Sequence, residues 1–141
     1  MVNSAREAED MVRWCKYPFD GVHSSAGMSG DWGDFTSYHE YMDAVNEQLL
    51  VVSMIETVEA VDAIGEILSV KGIDMLLIGP SDLSINLDVT LDYTNSKYQD
   101  ALDQIAEASI DARVVPGLHF LPPGMEPDGL IERDFRFFTL T

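Results

Sequence analysis

Residues 75–84 read MLLIGPSDLS. An apolar run of strand length, Met75 to Ile78, ends at Gly79-Pro80. A strand cannot continue there, because proline lacks the backbone N–H of the ladder and glycine favours a turn. Asp82 follows at once. The stretch therefore predicts a buried strand that is followed by a turn, with the Asp82 carboxylate facing a cleft.

A second apolar run, LLVVSMIE at 49–56, ends on another carboxylate, Glu56. Between the two runs Thr57 is a candidate cap for a helix that ends near Lys71-Gly72, the cation and glycine typical of a helix C-terminus. Continuous apolar runs are typical of parallel strands covered on both faces. The strand–helix–strand order predicts a right-handed crossover between two parallel neighbours.

The same alternation continues to the end of the chain and predicts an α/β fold with four parallel strands and flanking helices in one domain, 1–141. The other predicted elements are a helix over 4–15, a loop over 17–34, a short helix over 38–45, a helix from about 95, a helical turn over 128–133, and strands over 113–120 and 135–141.

Composition narrows the class of partner. The chain has 141 residues, 46% of them apolar, with 25 acidic against 8 basic side chains and a formal charge of −17. Such a surface repels nucleic acid and anionic membranes, which excludes both as expected partners. The apolar runs are too short to span a membrane, and the acidic N-terminus is unlike a signal peptide. A lone cysteine, Cys15, excludes an internal disulfide and has no histidine at a useful spacing for nucleophilic catalysis. We therefore expect a soluble cytoplasmic domain.

Glu56 and Asp82 are the candidate functional pair. Parallel neighbours lie about 4.8 Å apart, so the two carboxylates can reach one ion at the carboxyl edge of the sheet, where α/β folds place their sites. Few oxygen ligands, completed by water and substrate, suit Mg²⁺ or Mn²⁺. The alternative is that the two carboxylates only cap the helices that follow them.

Three segments of the sequence resemble the HpcH/HpaI family of metal-dependent 2-oxo-acid aldolases, the class II pyruvate aldolases. They are MVNSAREAEDMVRWCKYPFDGV (1–22), QLLVVSMIET (48–57) and AVDAIGEILSVKGIDMLLIGPSDLS (60–84). The resemblance is weaker through VVPGLHF (114–120). It implies half of a (β/α)8 TIM barrel that makes or breaks carbon–carbon bonds through a pyruvate enolate, with Mg²⁺ or Mn²⁺ as cofactor.

The resemblance also implies roles for individual residues. Glu56 and Asp82 correspond to the family's metal ligands. Gly79, Pro80 and Ser81 correspond to the turn that binds substrate, where backbone N–H groups receive the carboxylate of the 2-oxo acid.

The sequence departs from the family in its histidines. The family's earlier strands carry a catalytic His and an Arg that have no counterpart here, so the chain resembles a C-terminal half-barrel. His119, at the end of the third predicted strand, is the provisional acid/base. His23, in a Gly/Ser-rich loop, is a candidate lid residue over the site. Structural roles are the alternative for both.

We expect a metal-dependent lyase or aldolase acting on a small 2-oxo acid, and a homodimer or higher homo-oligomer, because half a barrel leaves two open edges and one uncovered sheet face. A narrower form of this expected function is carbon–carbon bond formation in natural-product biosynthesis, as the resemblance to macrophomate synthase-like members of the family implies. The missing His and Arg favour a non-catalytic remnant or binding module instead. A third alternative is a cyclase or isomerase that uses the cleft at the carboxyl edge of the sheet without a metal.

Overall fold

The computed structural model describes residues 1–139 and contains the predicted parallel sheet. Its four strands lie in the order β1-β2-β3-β4, each parallel to the next. The strands are β1 Val52–Ile55, β2 Met75–Ile78, β3 Val115–Leu118 and β4 Phe137–Phe138. β2 spans the apolar run Met75 to Ile78, whereas β1, β3 and β4 are shorter than their predicted runs. The end of the fourth run, 140–141, lies outside the described residues.

Helices connect the strands as the sequence predicts, with two differences. They are α1 Ala5–Cys15, α2 Tyr38–Gln48, α3 Val58–Asp62, α4 Ile64–Leu68, α5 Pro80–Asn86, α6 Ser96–Ala112 and α7 Pro127–Glu132, with a 3-10 turn at Gly30–Trp32. The single helix expected after Thr57 is divided at Ala63, whose ψ of 10° leaves the helical range. The short helix α5, which follows Gly79 directly, was not predicted.

The two faces of the sheet differ in burial. Side chains on one face, among them Ile55, Leu76 and Leu118, are fully buried against the helices. The alternate side chains remain only half-buried and form what we call the inner face: Val52, Met54, Met75, Leu77, Val115 and Phe137. Helices therefore cover one face of an open parallel sheet, which confirms the predicted half-barrel architecture.

The contacts at the two ends of helix α1 distinguish the carboxyl edge of the sheet, where the strands end, from the amino edge, where they begin. At its start, the Asn3 side chain accepts a hydrogen bond from Thr57 Oγ1, just beyond the carboxyl end of β1. At its end, Lys16 Nζ donates to the backbone carbonyls of Asn46 and Leu49, just before β1 begins. Helix α1 thus runs antiparallel to β1, from the carboxyl edge of the sheet to the amino edge.

Within residues 1–139 no helix is long and apolar enough to cross a membrane.

Candidate metal centre

Glu56 lies directly across from Gly79 at the carboxyl edge. Ile55 pairs with Ile78, the last register position of β1 and β2, and the Gly79 N–H donates to the Ile55 carbonyl at 3.2 Å. The Glu56 side chain folds over this glycine: a Cβ built on Gly79 would overlap the Glu56 carboxylate and lie 3.2 Å from its Cβ. The absent side chain of Gly79 therefore makes room for the half-buried Glu56 carboxylate.

Asp82 follows on the same turn, in the first turn of α5. Pro80 occupies the first helical turn, where its fixed φ suits the helix and its missing N–H costs nothing. Ser81 is half-buried and Asp82 is exposed. Glu56 and the turn that carries Asp82 thus stand at the ends of adjacent strands, as the sequence predicts.

Neither carboxylate acts as a helix cap. Thr57, not Glu56, accepts the capping bond of α3, from the Ala60 N–H at 3.1 Å. The N-terminus of α5 has no side-chain cap at all. Within residues 1–139 neither carboxylate takes part in a salt bridge. Two uncompensated carboxylates at one sheet edge fit a hard divalent cation in donor chemistry. The described residues offer no group of three or more His, Cys, Asp or Glu side chains for a metal, so water and substrate would have to supply the other ligands.

The turn at Ser81 has two supports that the sequence did not predict. The buried Ser84 hydroxyl donates to the Ser81 carbonyl at 2.7 Å. The Ser81 hydroxyl lies 3.4 Å from the hydroxyl of Tyr93, a buried residue of the loop between α5 and α6. Ser84 is the last residue of the motif MLLIGPSDLS, but no spacing rule connects Tyr93 with Ser81.

His119 follows β3 and is therefore at the same edge. Its backbone N–H donates to the Ile78 carbonyl at 2.9 Å, so it sits beside the start of the turn at Gly79. Its exposed ring approaches Thr139, with Nδ1 3.1 Å from Thr139 Oγ1. This contact directs Nδ1 toward the β4 side. Since β2 lies between β3 and β1, His119 starts about 5 Å from the chain at Gly79 and about 10 Å from that at Glu56.

The structure does not bring His23 to this edge. The His23 N–H donates to the Lys16 carbonyl at 2.8 Å, and its ring packs edge-on against Tyr17 with centroids 4.9 Å apart. Lys16 marks the end of α1, at the amino edge of the sheet. His23 is therefore placed at the opposite end of the sheet from Glu56, and its position does not support the lid role expected from the sequence.

The fold and this edge define a class: a parallel βα sheet of the barrel type with two acidic strand ends and a Gly-Pro turn. Family comparison gives the same class a name. Residues 1–122 match the model of the HpcH/HpaI aldolase/citrate lyase family, and the chain belongs to that family.

Individual relatives of known sequence or structure belong to the same family or share its fold. The chain is 34% identical over 119 residues to a hydroxypyruvate/pyruvate aldolase of Roseovarius nubinhibens, a match that covers 82% of this chain and 46% of the relative. A solved HpcH/HpaI aldolase from Desulfitobacterium hafniense has a TM-score of 0.84 and 26% identity over 98% of this chain and 54% of its own. Macrophomate synthase, at 20% identity, shares the fold with a TM-score of 0.77 over 99% of this chain and 50% of that one. The chain thus spans about half the length of the relatives it matches.

Proposed function

We propose that this chain binds a divalent cation, Mg²⁺ or Mn²⁺, between Glu56 and Asp82 and uses it for enolate chemistry on a small 2-oxo acid. The observation that carries the proposal is the packing of the Glu56 carboxylate on Gly79, at the start of the turn that holds Asp82. Membership of an aldolase family supports the reaction class. The name of the Roseovarius relative supports a 2-oxo acid such as pyruvate as the substrate.

The residues of the turn would bind and orient the substrate. The Glu56 carboxylate fills the space above Gly79, so a small acid would reach the turn one step further on, at Ser81 and Asp82. The N–H groups of Ser81 and Asp82, in the first turn of α5, would receive the substrate carboxylate, together with the Ser81 hydroxyl. A bound cation would supply charge stabilisation on the oxo oxygen.

His119 would move the proton. Thr139 orients the ring through Nδ1, which leaves Nε2 to take a proton from the carbon next to the oxo group or to return it. A binding module that holds the cation and the acid without turnover is the second candidate. The position of His119 supports this candidate. Its ring contacts Thr139 on the β4 side, and strand β2 separates it from Glu56.

Exchange of the methyl protons of pyruvate with deuterated water tests the reaction class without knowledge of the acceptor aldehyde. NMR should show exchange that requires Mg²⁺ or Mn²⁺ and that is lost in Glu56→Gln and Asp82→Asn. Glu59→Gln is the matched control, because Glu59 is an exposed carboxylate in the first turn of α3. Decarboxylation of oxaloacetate should follow the same pattern. Cation binding with exchange no faster than in buffer would favour the binding module, and exchange without a cation would favour the metal-free alternative.

A further inference from the structure

The loop over 88–95 is fastened to the helix that carries Ser81. Ser84, with 0% of its surface exposed, makes the connection. Its hydroxyl donates to the Ser81 carbonyl at 2.7 Å and accepts from the Leu91 N–H at 3.0 Å. Its own carbonyl accepts from the Val89 N–H, also at 3.0 Å. The loop and the turn therefore form one hydrogen-bonded unit.

Two residues of this loop hold left-handed backbone conformations without being glycine. Asp88 has a φ of 59° and Leu91 a φ of 57°. Such a conformation is disfavoured for a side chain like leucine and persists where the surroundings fix it. At Leu91 the fixing contact is the bond from its N–H to Ser84. Strain retained beside a candidate site points to a positional requirement on this loop.

Tyr93 is the side chain that this loop delivers to the turn. It is 7% exposed, and its hydroxyl lies 3.4 Å from Ser81 Oγ. Its ring packs edge-on against Tyr98 of α6, with centroids 5.3 Å apart and planes at 71°. Its carbonyl accepts from Gln99 Nε2 at 2.6 Å. Tyr98 thus packs on the ring, Gln99 holds the backbone, and the Tyr93 hydroxyl lies next to Ser81.

We propose that Tyr93 is a positioning residue: its hydroxyl donates to Ser81 Oγ, so that the Ser81 proton is directed at the carboxylate of a bound 2-oxo acid. The identity of the acid rests on the proposed function, whereas the action of Tyr93 on Ser81 does not. The 3.4 Å separation is longer than the about 2.8 Å typical of a hydroxyl pair. Donation by Ser81 to an anion strengthens its capacity to accept, so the bond shortens when the acid binds.

Tyr98 provides the matched control for Tyr93. It belongs to the same buried pair of rings, but its hydroxyl is buried without a hydrogen-bond partner within residues 1–139. Tyr93→Phe and Tyr98→Phe each remove one buried hydroxyl from the same cluster, and only the first touches Ser81. Tyr93→Phe should raise KM for oxaloacetate about three- to tenfold, the value of one hydrogen bond, with kcat changed less than KM. Tyr98→Phe should leave both parameters unchanged.

Combination with Ser81→Ala distinguishes positioning from general loosening of the loop. If Tyr93 acts through Ser81, Tyr93→Phe should have no further effect on KM in the Ser81→Ala background. Equal KM effects in both backgrounds, or an unchanged KM in Tyr93→Phe, would overturn the proposal.

Urea unfolding of the same chains keeps the test independent of turnover. The shift in midpoint of the Tyr93→Phe, Ser81→Ala double variant should be smaller than the sum of the single shifts, because both changes remove one shared contact. If every chain, unsubstituted included, is inactive, the proposed function fails. The midpoints then decide about Tyr93: additive shifts refute its action on Ser81, and non-additive shifts support it.

Discussion

Glu56 and Gly79 face each other at the ends of neighbouring strands, and the glycine leaves the space that the glutamate side chain fills. The backbone of Gly79 has a φ of −87°, which any residue can adopt, so the glycine is required here for space and not for conformation. A side chain at this position would compete directly with the candidate ligand. The relationship links the start of the Gly-Pro turn to the carboxylate on the adjacent strand.

Gly79→Ala should therefore displace the Glu56 carboxylate and weaken Mn²⁺ binding roughly 10–100-fold, as changes to residues that support a metal ligand commonly do. Titration calorimetry measures the affinity. Gly65→Ala is the control, because Gly65 lies in α4 with no atom near the position of an added Cβ. That substitution should leave Mn²⁺ affinity unchanged and raise the free energy of unfolding by about 0.5–1 kcal/mol. Equal Mn²⁺ affinities in the two variants would show that the packing of Glu56 on Gly79 is irrelevant to the site.

If His119 has the proton-transfer role that we propose and is not a metal ligand, His119→Ala should lower turnover of oxaloacetate roughly 10²–10⁴-fold while Mn²⁺ binding persists. Thr139→Val removes only the partner of Nδ1 and should lower turnover to a smaller extent. Steady-state kinetics of both variants, with Mn²⁺ titrations beside them, make the comparison. Full turnover in His119→Ala would return this histidine to a structural role.

The side chain of Asp92 should give the loop over 88–95 a contribution to stability that is lost at acid pH. Hydrogen bonds from the side chains of Thr94 and Asn95 hold the pKa of the Asp92 carboxyl below its usual range. A folded-state pKa below the unfolded value of about 3.9 stabilises the fold above that value, and the contribution disappears as the pH falls through the lowered pKa. Thr94→Val should raise the pKa of Asp92, measured by NMR titration, whereas Thr90→Val in the same loop should not. A titration of Asp92 that is the same in all three chains would contradict this origin of the shift.

We expect copies of this chain to associate through the inner face. Its Val, Met, Leu and Phe side chains remain half-buried, whereas the opposite face is covered by helices. Burial of about 400 Å² of apolar surface at about 25 cal/mol per Å² contributes on the order of 10 kcal/mol. The charge of −17 opposes association, but salt screens it beyond about 10 Å. Sedimentation at micromolar concentration should show a dimer or larger species that Leu77→Glu, on the inner face, dissociates.

Ile110→Glu is the control for that substitution, because Ile110 is an exposed apolar side chain of α6. It should leave the sedimentation coefficient unchanged. A folded monomer of the unsubstituted chain at physiological salt would refute the expectation of a homo-oligomer.

Sequence patterns predicted the sheet and the candidate ligand pair because both depend on local rules. Apolar runs that end at Gly79 or Glu56 define parallel strands and their carboxyl ends without knowledge of tertiary contacts. Helix α5 escaped prediction because its seven residues are too few to show a helical period, although Pro80 at its first position is a typical start signal.

Tertiary contacts decided what the sequence could not. His23 is a loop residue whose location depends on the bond from its N–H to Lys16, and Lys16 is in turn bonded to the end of α2. The contact of Tyr93 with Ser81 joins residues twelve positions apart through a loop that no motif describes. Neither relationship follows from spacing or residue type.

Titration calorimetry with Mn²⁺ would show whether Glu56 and Asp82 hold one cation together. Each chain should bind one Mn²⁺ ion. Glu56→Gln and Asp82→Asn should each reduce its affinity by a large factor, because an amide replaces a charged ligand poorly, and the double variant should bind no Mn²⁺ at that site. Glu59→Gln should bind like the unsubstituted chain. Retention of full affinity in both Glu56→Gln and Asp82→Asn, or equal losses in Glu59→Gln, would contradict the assignment.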